Sequence, residues 1–325
     1  MKYFLVIAFI LILFSGCSSQ INGLNPHMEW EVLSTNITDD LHDIEFINDN
    51  TGFVYSYGTG KIYKTTDSGN KWALVKKLDS VYLEQIQFVN SNTGWFCGEW
   101  GILYKTTDGG NNWTDYSLYI DAGNLLLYGM CFENDAVGYL SGGILFNKEI
   151  SPKFLVTSNG GMNFNFVNII PDMLLNIEKF NSGLIGTGDG IIINITDNGN
   201  NYDYLFKDDA EQTGQIRDIE FSDNNNGIAV SFQGKALITK DGGKNWIVKE
   251  ITKNRLRNIK YIGNNRWLTC GDNNKNDGTT LFVSRDNGLN WEKCMNDFPD
   301  IHRICLSETY IWLAGKKGFV ARTKK

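Results

Sequence analysis

One short motif returns six times along this chain, at a spacing that limits the folds open to it. The copies are TTDSGNKW at 65–72, TTDGGNNW at 106–113, TSNGGMNF at 157–164, ITDNGNNY at 195–202, TKDGGKNW at 239–246 and SRDNGLNW at 284–291. Their last residues lie 41, 51, 38, 44 and 45 positions apart. A period of about 40–50 residues, filled with short strands and turns, is typical of one blade of a β-propeller.

The residue types in the motif predict a structural role. Asp and Asn side chains hydrogen-bond to nearby backbone, Gly permits a positive φ, and a closing aromatic ring packs into a core. Because the acidic position recurs in nearly every copy, we interpret it as part of a turn and not as a catalytic acid. The predicted structural residues are Asp67, Trp72, Asp108, Trp113, Asn159, Asp197, Asp241, Trp246, Asp286 and Trp291, with Phe164 and Tyr202 replacing Trp in copies three and four.

Each repeat also contains strand-like segments in a constant order. In the first repeat these are LHDIEFI at 41–47, TGFVYSYG at 51–58 and GKIYKTTD at 60–67, and a fourth, KWALV at 71–75, follows the motif. Val, Ile, Tyr and Phe favour strands, and Gly marks the turns between them. We therefore expect four strands, A to D, in every blade.

The two ends of the chain supply a seventh blade. IHRICL at 301–306, YIWLAG at 310–315 and GFVARTKK at 318–325 read as strands A, B and C without a D strand. WEVL at 30–33 precedes the first A strand as WALV at 72–75 precedes the second. The sequence predicts an all-β chain whose residues 28–325 form a seven-bladed β-propeller with four-stranded blades. Pairing of the N-terminal strand with the C-terminal blade would close the ring and remove an exposed sheet edge.

The six motifs match the Asp box, Ser/Thr-x-Asp-x-Gly-x-x-Trp, which is also called the BNR repeat. The regular TTDGGNNW copy and the TGWFCGEW segment at 93–100 resemble the photosystem II stability and assembly-factor family most. Sialidases and sortilin-type propellers are more distant resemblances. The resemblance implies that the Asp boxes lie on one face and that function lies on the opposite face, around the central channel.

The first residues indicate export. Lys2 precedes an apolar run from Phe4 to Phe14, which is too short to span a bilayer, and Ser15-Gly16-Cys17 follows. This segment resembles the lipobox of bacterial lipoproteins, although an ordinary secretory signal with a chance cysteine is the alternative. We expect a signal peptide at 1–16, lipid on Cys17, a tether at 17–27 and a periplasm-facing position in the cell envelope, on either membrane.

The composition limits the classes of partner and cofactor that we expect for this chain. A formal net charge of −7 provides no basic footprint for nucleic acid. Five cysteines remain besides Cys17, at positions 97, 131, 270, 294 and 305, and their spacing shows neither a disulfide framework nor a metal motif. No cofactor and no metal are predicted. His42 and His302 lack a third ligand, and the loop 272–278 lacks the Gly and Glu positions of a calcium loop.

A candidate face follows from aligning the A strands. In the A strands, the residue two places before the core position is His42, Glu84, Tyr128, Arg217, Arg257 or His302. The fourth blade is ambiguous near Asn176, and Arg303 lies beside His302. These residues include a basic arc that could receive an anionic ligand or an acidic patch of a protein. The B–C turns add Trp100, which could stack on a sugar or be partly packed. Two of these turns, 142–154 and 271–280, look longer than the rest.

The candidate catalytic residues in the sequence favour a binding protein over an enzyme. A sialidase needs three arginines with a Tyr–Glu pair and an Asp acid, and no such set is recognisable. Hydrolysis by paired carboxylates has only weak candidates, Glu99 and Asp189. We therefore expect a non-catalytic, membrane-anchored scaffold that binds another envelope protein. A glycan-binding or sialidase-like glycoside hydrolase lipoprotein is the alternative.

Overall fold

The computed structural model describes residues 28–325 except 80, 121–123, 168–169, 171, 274–279 and 295–296. The predicted signal peptide, Cys17 and tether lie outside these residues. The described chain forms seven antiparallel sheets of four strands each, which confirms the predicted propeller. It contains no helix that is long and apolar enough to cross a membrane.

The strands follow one another from the channel outward in each blade. Blade one contains β2 (Leu41–Phe46), β3 (Gly52–Ser56), β4 (Lys61–Thr65) and β5 (Ala73–Lys77). Blade two contains β6 (Leu83–Phe88), β7 (Gly94–Gly98), β8 (Leu103–Thr106) and β9 (Thr114–Asp115). Blade three contains β10 (Asn124–Phe132), β11 (Gly138–Phe146), β12 (Glu149–Thr157) and β13 (Asn165–Val167). Blade four contains β14 (Leu174–Phe180), β15 (Gly183–Gly188), β16 (Ile191–Thr196) and β17 (Asn201–Lys207).

The remaining blades keep this order. Blade five contains β18 (Ile216–Phe221), β19 (Gly227–Ser231), β20 (Lys235–Thr239) and β21 (Ile247–Glu250). Blade six contains β22 (Leu256–Tyr261), β23 (Trp267–Gly271), β24 (Leu281–Ser284) and β25 (Glu292–Lys293). Blade seven contains β26 (Ile301–Leu306), β27 (Tyr310–Gly315), β28 (Val320–Lys324) and, outermost, β1 (Glu31–Leu33). Single 3-10 turns occupy Glu99–Gly101, Asp197–Gly199 and Lys316–Gly318.

Blade seven confirms the predicted closure. The strand β1 pairs antiparallel with β28, from Glu31 opposite Arg322 to Leu33 opposite Val320. Leu33 is buried among Trp312, Val320 and other apolar side chains at the border between blades seven and one. The two ends of the chain therefore share one sheet and one core.

The apolar core lies between neighbouring blades. An aromatic ring near the end of one A strand stacks on a ring at the start of an adjacent B strand. Phe46 lies 3.7 Å from Trp312 between blades one and seven, and Phe132 lies 3.8 Å from Trp95 between blades three and two (ring centroids). Because each stack joins two sheets, the blades stabilise one another.

The Asp boxes form a repeated hydrogen-bonded turn. In the first, Thr65 Oγ1 donates to Asp67 Oδ1 (2.9 Å) and accepts the Gly69 N–H (3.0 Å), while Asp67 Oδ1 accepts the Lys71 N–H (2.8 Å). The boxes at Asp108, Asn159, Asp241 and Asp286 repeat these bonds.

The fourth box differs from the prediction. Ile195 stands where the other copies have Thr or Ser, so no hydroxyl can bridge the turn. Asp197 takes a positive φ of 51° inside a 3-10 turn, and among the described residues its carboxylate meets only the Asn201 side-chain amide, at 3.5 Å. Asp197 therefore does not make the backbone bond that Asp67 makes, because Ile195 replaces the hydroxyl residue at the first position of the motif.

Strand directions define two faces. Since the strands alternate in direction, the Asp boxes share one face, and the B–C turns share the opposite face with the starts of the A strands. We call these the Asp-box face and the B–C face. The segment 142–154 is not a long turn but an extended hairpin, in which β11 and β12 meet at Asn147-Lys148, both with positive φ. Its tip carries the exposed side chains of Phe146 and Ile150 on the B–C face.

Candidate functional site

A β-bulge in every A strand builds the site. The pairing of strands A and B slips by one residue between positions 41 and 43, 83 and 85, 127 and 129, 174 and 176, 216 and 218, 256 and 258, and 301 and 303. The skipped residues form the mouth ring: His42, Glu84, Tyr128, Leu175, Arg217, Arg257 and His302. Bulges re-aim side chains and locally end pairing. They therefore free one residue per blade for the channel mouth.

The mouth ring contains all six residues that aligning the A strands singled out. They line one cavity together with Leu175, which occupies the position that was ambiguous in blade four. Arg303, expected beside them on the surface, lies one residue deeper. Its Nε is 3.0 Å from Asp43 Oδ1, because the bulge shifts the residue after His302 into the next layer.

The layer below is an inner ring that joins the blades. Its members are Asp43, Gln85, Gly129, Asn176, Asp218, Asn258 and Arg303. Asp43 Oδ2 accepts the Ile86 N–H (3.2 Å), and Gln85 Oε1 accepts the Met130 N–H (2.7 Å). Asp218 and Asn258 make the same bond to the next blade. Inner-edge N–H groups need partners, so these polar residues have a structural role. Their recurrence one place after the mouth position was a signal visible in the sequence.

Three arginines surround one phenylalanine beside the mouth. The guanidinium carbons of Arg217, Arg255 and Arg257 lie 5.0, 5.2 and 5.4 Å from the centre of the Phe232 ring. These distances are within the range of cation–π attraction. Arg257 is also held by Asp272, with Nε–Oδ1 at 2.5 Å and Nη2–Oδ2 at 3.0 Å. Arg255 and Phe232 were not predicted together because they come from different blades.

Burial dominates the electrostatics of the mouth. It raises the pKa of Glu84 to about 7, while Arg217 opposes this shift. It lowers the pKa of His42 well below the usual range, and the neighbouring His302 lowers it further. Burial and Arg257 also lower the pKa of His302, whose Nδ1 bonds the Leu41 carbonyl oxygen at 2.8 Å. Both imidazoles are therefore neutral at pH 7.

The mouth cavity is small, with a volume of about 40 Å³. Since one water molecule needs roughly 10–15 Å³ on this measure, the cavity holds about three waters and no sugar ring. A wider groove of about 720 Å³ lies on the B–C face beside it, lined by Asp189, Gln215, Phe232, Gln233, Lys253 and Arg255. Phe232 separates the two spaces, because Arg217 and Arg257 of the mouth lie against its ring.

One cluster could hold a metal by residue type. Ligand atoms of Asp272, Asp300 and His302 lie within 4.8 Å of one another. Both carboxylates already have cationic partners, Arg257 on Asp272 and Lys316 on Asp300. A divalent cation would have to displace these partners or add charge beside them, which opposes binding. Residues 274–279 of the loop considered for calcium lie outside the described part of the chain.

The other predicted side chains lie on separate blades. Trp100 is 57% exposed on the B–C turn of blade two, with a positive φ of 61°. Bulky residues adopt this backbone conformation rarely, and such strain is concentrated at functional sites. Glu99 precedes it, and burial raises the pKa of its carboxyl. Asp189 lines the groove on blades four and five, so the structure does not place the weak catalytic candidates in one described pocket.

Known proteins with the same architecture resemble this chain. The family model described as photosynthesis system II assembly factor YCF48 matches residues 24–124. A solved structure titled YCF48 bound to D1 peptide superposes with a TM-score of 0.71 at 18% identity, covering 91% of this chain and 97% of that chain. The chain is an Asp-box propeller similar to the YCF48 assembly factors.

Two further structures show how widely this propeller fold is shared. YCF48 from Cyanidioschyzon merolae has a TM-score of 0.70 at 15% identity, covering 91% of this chain and 98% of that one. Virginiamycin B lyase from Staphylococcus aureus also has a TM-score of 0.70, at 12% identity, covering 92% of this chain and 100% of that one. At these identities the likeness shows the fold alone. A search of curated proteins gave no significant match.

Proposed function

We propose that this propeller is a non-catalytic scaffold that binds another protein of the cell envelope through its B–C face. The observation that carries the proposal is that exposed Trp100 and the Arg255–Phe232 contact both lie on the B–C face. Aromatic residues and Arg are enriched at protein interfaces and supply most binding hot spots. The groove beside Arg255 gives a partner segment room that the mouth cavity lacks. The YCF48 structure bound to D1 peptide shows a propeller of this fold with a peptide ligand.

The proposal includes lipid on Cys17 and a periplasm-facing anchor. The strand β1 starts level with Arg322, whose Nε donates to Glu31 and whose Nη1 donates to the Ser68 carbonyl oxygen of an Asp box. The anchored end therefore approaches the ring from the Asp-box face. Trp30 lies thirteen positions after Cys17, a stretch that reaches at most ~45 Å when extended. In the proposed arrangement the B–C face points away from the anchoring membrane and towards a partner's periplasmic domain.

Charge reversal on the two faces tests the binding role. In a pull-down from native membranes, Arg255→Glu with Lys317→Glu should reduce capture of the partner, because both side chains are exposed on the B–C face. The matched control, Lys71→Glu with Lys244→Glu, makes the same charge change on the Asp-box face. Equal capture by both double variants would contradict the proposal. Rim charges act mainly on association rate, so capture should be compared at low and at physiological salt.

A glycan-directed function is the second candidate, and the groove is the observation that favours it. It is large enough for a sugar and contains Asp189 with Arg255. Retaining and inverting hydrolysis both need two carboxyl groups at a defined separation, and Glu99 does not line this groove. Glu84, whose pKa is about 7, lies in the cavity that is too small for a sugar. Hydrolysis of fluorogenic glycosides, abolished by Asp189→Asn or Glu99→Gln, would replace our proposal with this one.

A further inference from the structure

The three arginines of the mouth and inner ring differ in their partners. Asp272 holds Arg257 through two bonds, and Asp43 holds Arg303 at 3.0 Å. Arg217 lines the same cavity, but no carboxylate or carbonyl oxygen of the described chain bonds its guanidinium, which contacts the Phe232 ring instead. A guanidinium stays charged and carries five N–H donors. The cavity therefore holds a partly buried cation that no carboxylate of the described chain hydrogen-bonds, although the Glu84 carboxyl lines the same cavity and interacts with Arg217 electrostatically.

A second donor lies in the same cavity. The Tyr128 hydroxyl has no hydrogen-bond partner among the residues that the structure describes, and Tyr128 and Arg217 come from A strands on opposite sides of Leu175. The volume of about 40 Å³ admits a group of a few atoms. An ion-sized space lined by a guanidinium and a hydroxyl that lack hydrogen-bond partners in the described chain favours an anion over a cation or a neutral ligand.

We propose that the channel mouth binds one small monovalent anion, a halide or a carboxylate, between Arg217 and Tyr128. The site does not depend on the proposed function, because free ions can fill it whether or not a protein docks on the B–C face. A carboxylate could equally come from a polypeptide that enters the mouth. The ligand would receive charge-assisted bonds from Arg217 and one bond from Tyr128.

Glu84 provides the rival explanation. Its carboxyl lines the same cavity and also lacks a hydrogen-bond partner within the described chain, so it could serve as the internal counter-ion of Arg217. The two explanations differ in what wild-type protein binds, and Glu84→Gln separates them. If Glu84 only balances Arg217, an external anion has no place in wild-type protein. If the site takes an external anion, removing a nearby negative charge should tighten binding, on the order of tenfold.

Calorimetric titration of the full-length protein in detergent, with gluconate as background anion, tests the proposal. The ligands are sodium chloride, sodium formate and an N-acetylated dipeptide with a free carboxylate. We expect saturable binding of at least one ligand, weakened more than tenfold by Arg217→Gln and about fivefold by Tyr128→Phe. Arg266→Gln, which changes an arginine near the Asp-box face, is the matched control and should bind as wild type does.

The ligand series identifies the source of the anion. Tighter binding of chloride or formate indicates a free ion, whereas tighter binding of the dipeptide indicates a polypeptide carboxylate, and both outcomes support the site. Binding that survives Arg217→Gln would overturn it, as would the absence of binding in wild-type protein; binding in Glu84→Gln alone would show that Glu84 is the counter-ion of Arg217. A folded Arg217→Gln variant, checked by its thermal unfolding, keeps the comparison valid. Undiminished partner capture by the Arg255→Glu/Lys317→Glu variant, together with intact small-anion binding, would contradict only the proposed function.

Discussion

Closure of the ring by β1 can be tested with one side chain. Leu33 is 9% exposed and packs on Trp312, Val320 and Ile37, whereas its neighbour Val32 is 57% exposed. Replacing a buried Leu by Ala costs about 3–5 kcal/mol, and we take about 3 because the outermost strand can collapse onto the gap. At an unfolding entropy of roughly 2.1 cal/mol/K per residue, the described propeller loses stability at about 0.6 kcal/mol per degree. Leu33→Ala should therefore lower Tm by about 5 °C.

The assay is thermal unfolding by circular dichroism, with urea unfolding as a second measurement. Val32→Ala removes two methyl groups from the same strand but from its exposed face, so its Tm should change by less than about 1 °C. If both variants lower Tm equally, β1 is not packed against blade seven as described. A larger loss in Leu33→Ala with a single unfolding transition would show that the seam is part of the cooperative domain.

Two further predictions concern the channel. Arg303→Met should destabilise the protein by about 3 kcal/mol in urea unfolding, because it leaves Asp43 buried without its cation. Adding Asp43→Asn should recover part of the loss. A double variant no more stable than the single one would refute this. Burial and Asp43 raise the pKa of Glu45 to about 7, so the folded state keeps a proton there that the unfolded state loses near pH 4.5. That contribution to stability is full below pH 4.5 and is lost as pH rises to about 7. The free energy of unfolding of Glu45→Gln should therefore rise relative to that of wild type, by up to about 3 kcal/mol, between pH 4.5 and 8. A constant difference in unfolding free energy across this range would contradict the burial of the Glu45 carboxyl.

Much of the architecture could be predicted because it repeats. Six Asp boxes define the period, and the strand-like segments at the two ends of the chain define the seventh blade. The mouth ring was also predictable, since a residue two places before a core position keeps its place from blade to blade. The replacement of Ser or Thr by Ile195 was visible as well, and it explains why the fourth turn differs.

The rest of the site depends on contacts between distant segments. The bulges that free His42 and Arg217 for the channel arise from pairing between strands, which local sequence does not specify. The choice of Arg257 rather than Arg217 as the partner of Asp272 depends on side-chain geometry across a turn. Arg255 reaches Phe232 from another blade, so no spacing rule connects them. The long hairpin of blade three looked like a loop because its apolar tip lacks strong alternation.

The proposal that the B–C face binds a protein is tested most directly by cross-linking in living cells. A photo-reactive residue replaces exposed Gln233, which lines the groove beside Arg255, and in a second strain it replaces exposed Lys244 in an Asp box. We expect a discrete cross-linked product with one envelope protein from position 233 and none from position 244. A product from position 244 alone, or identical products from both positions, would contradict it.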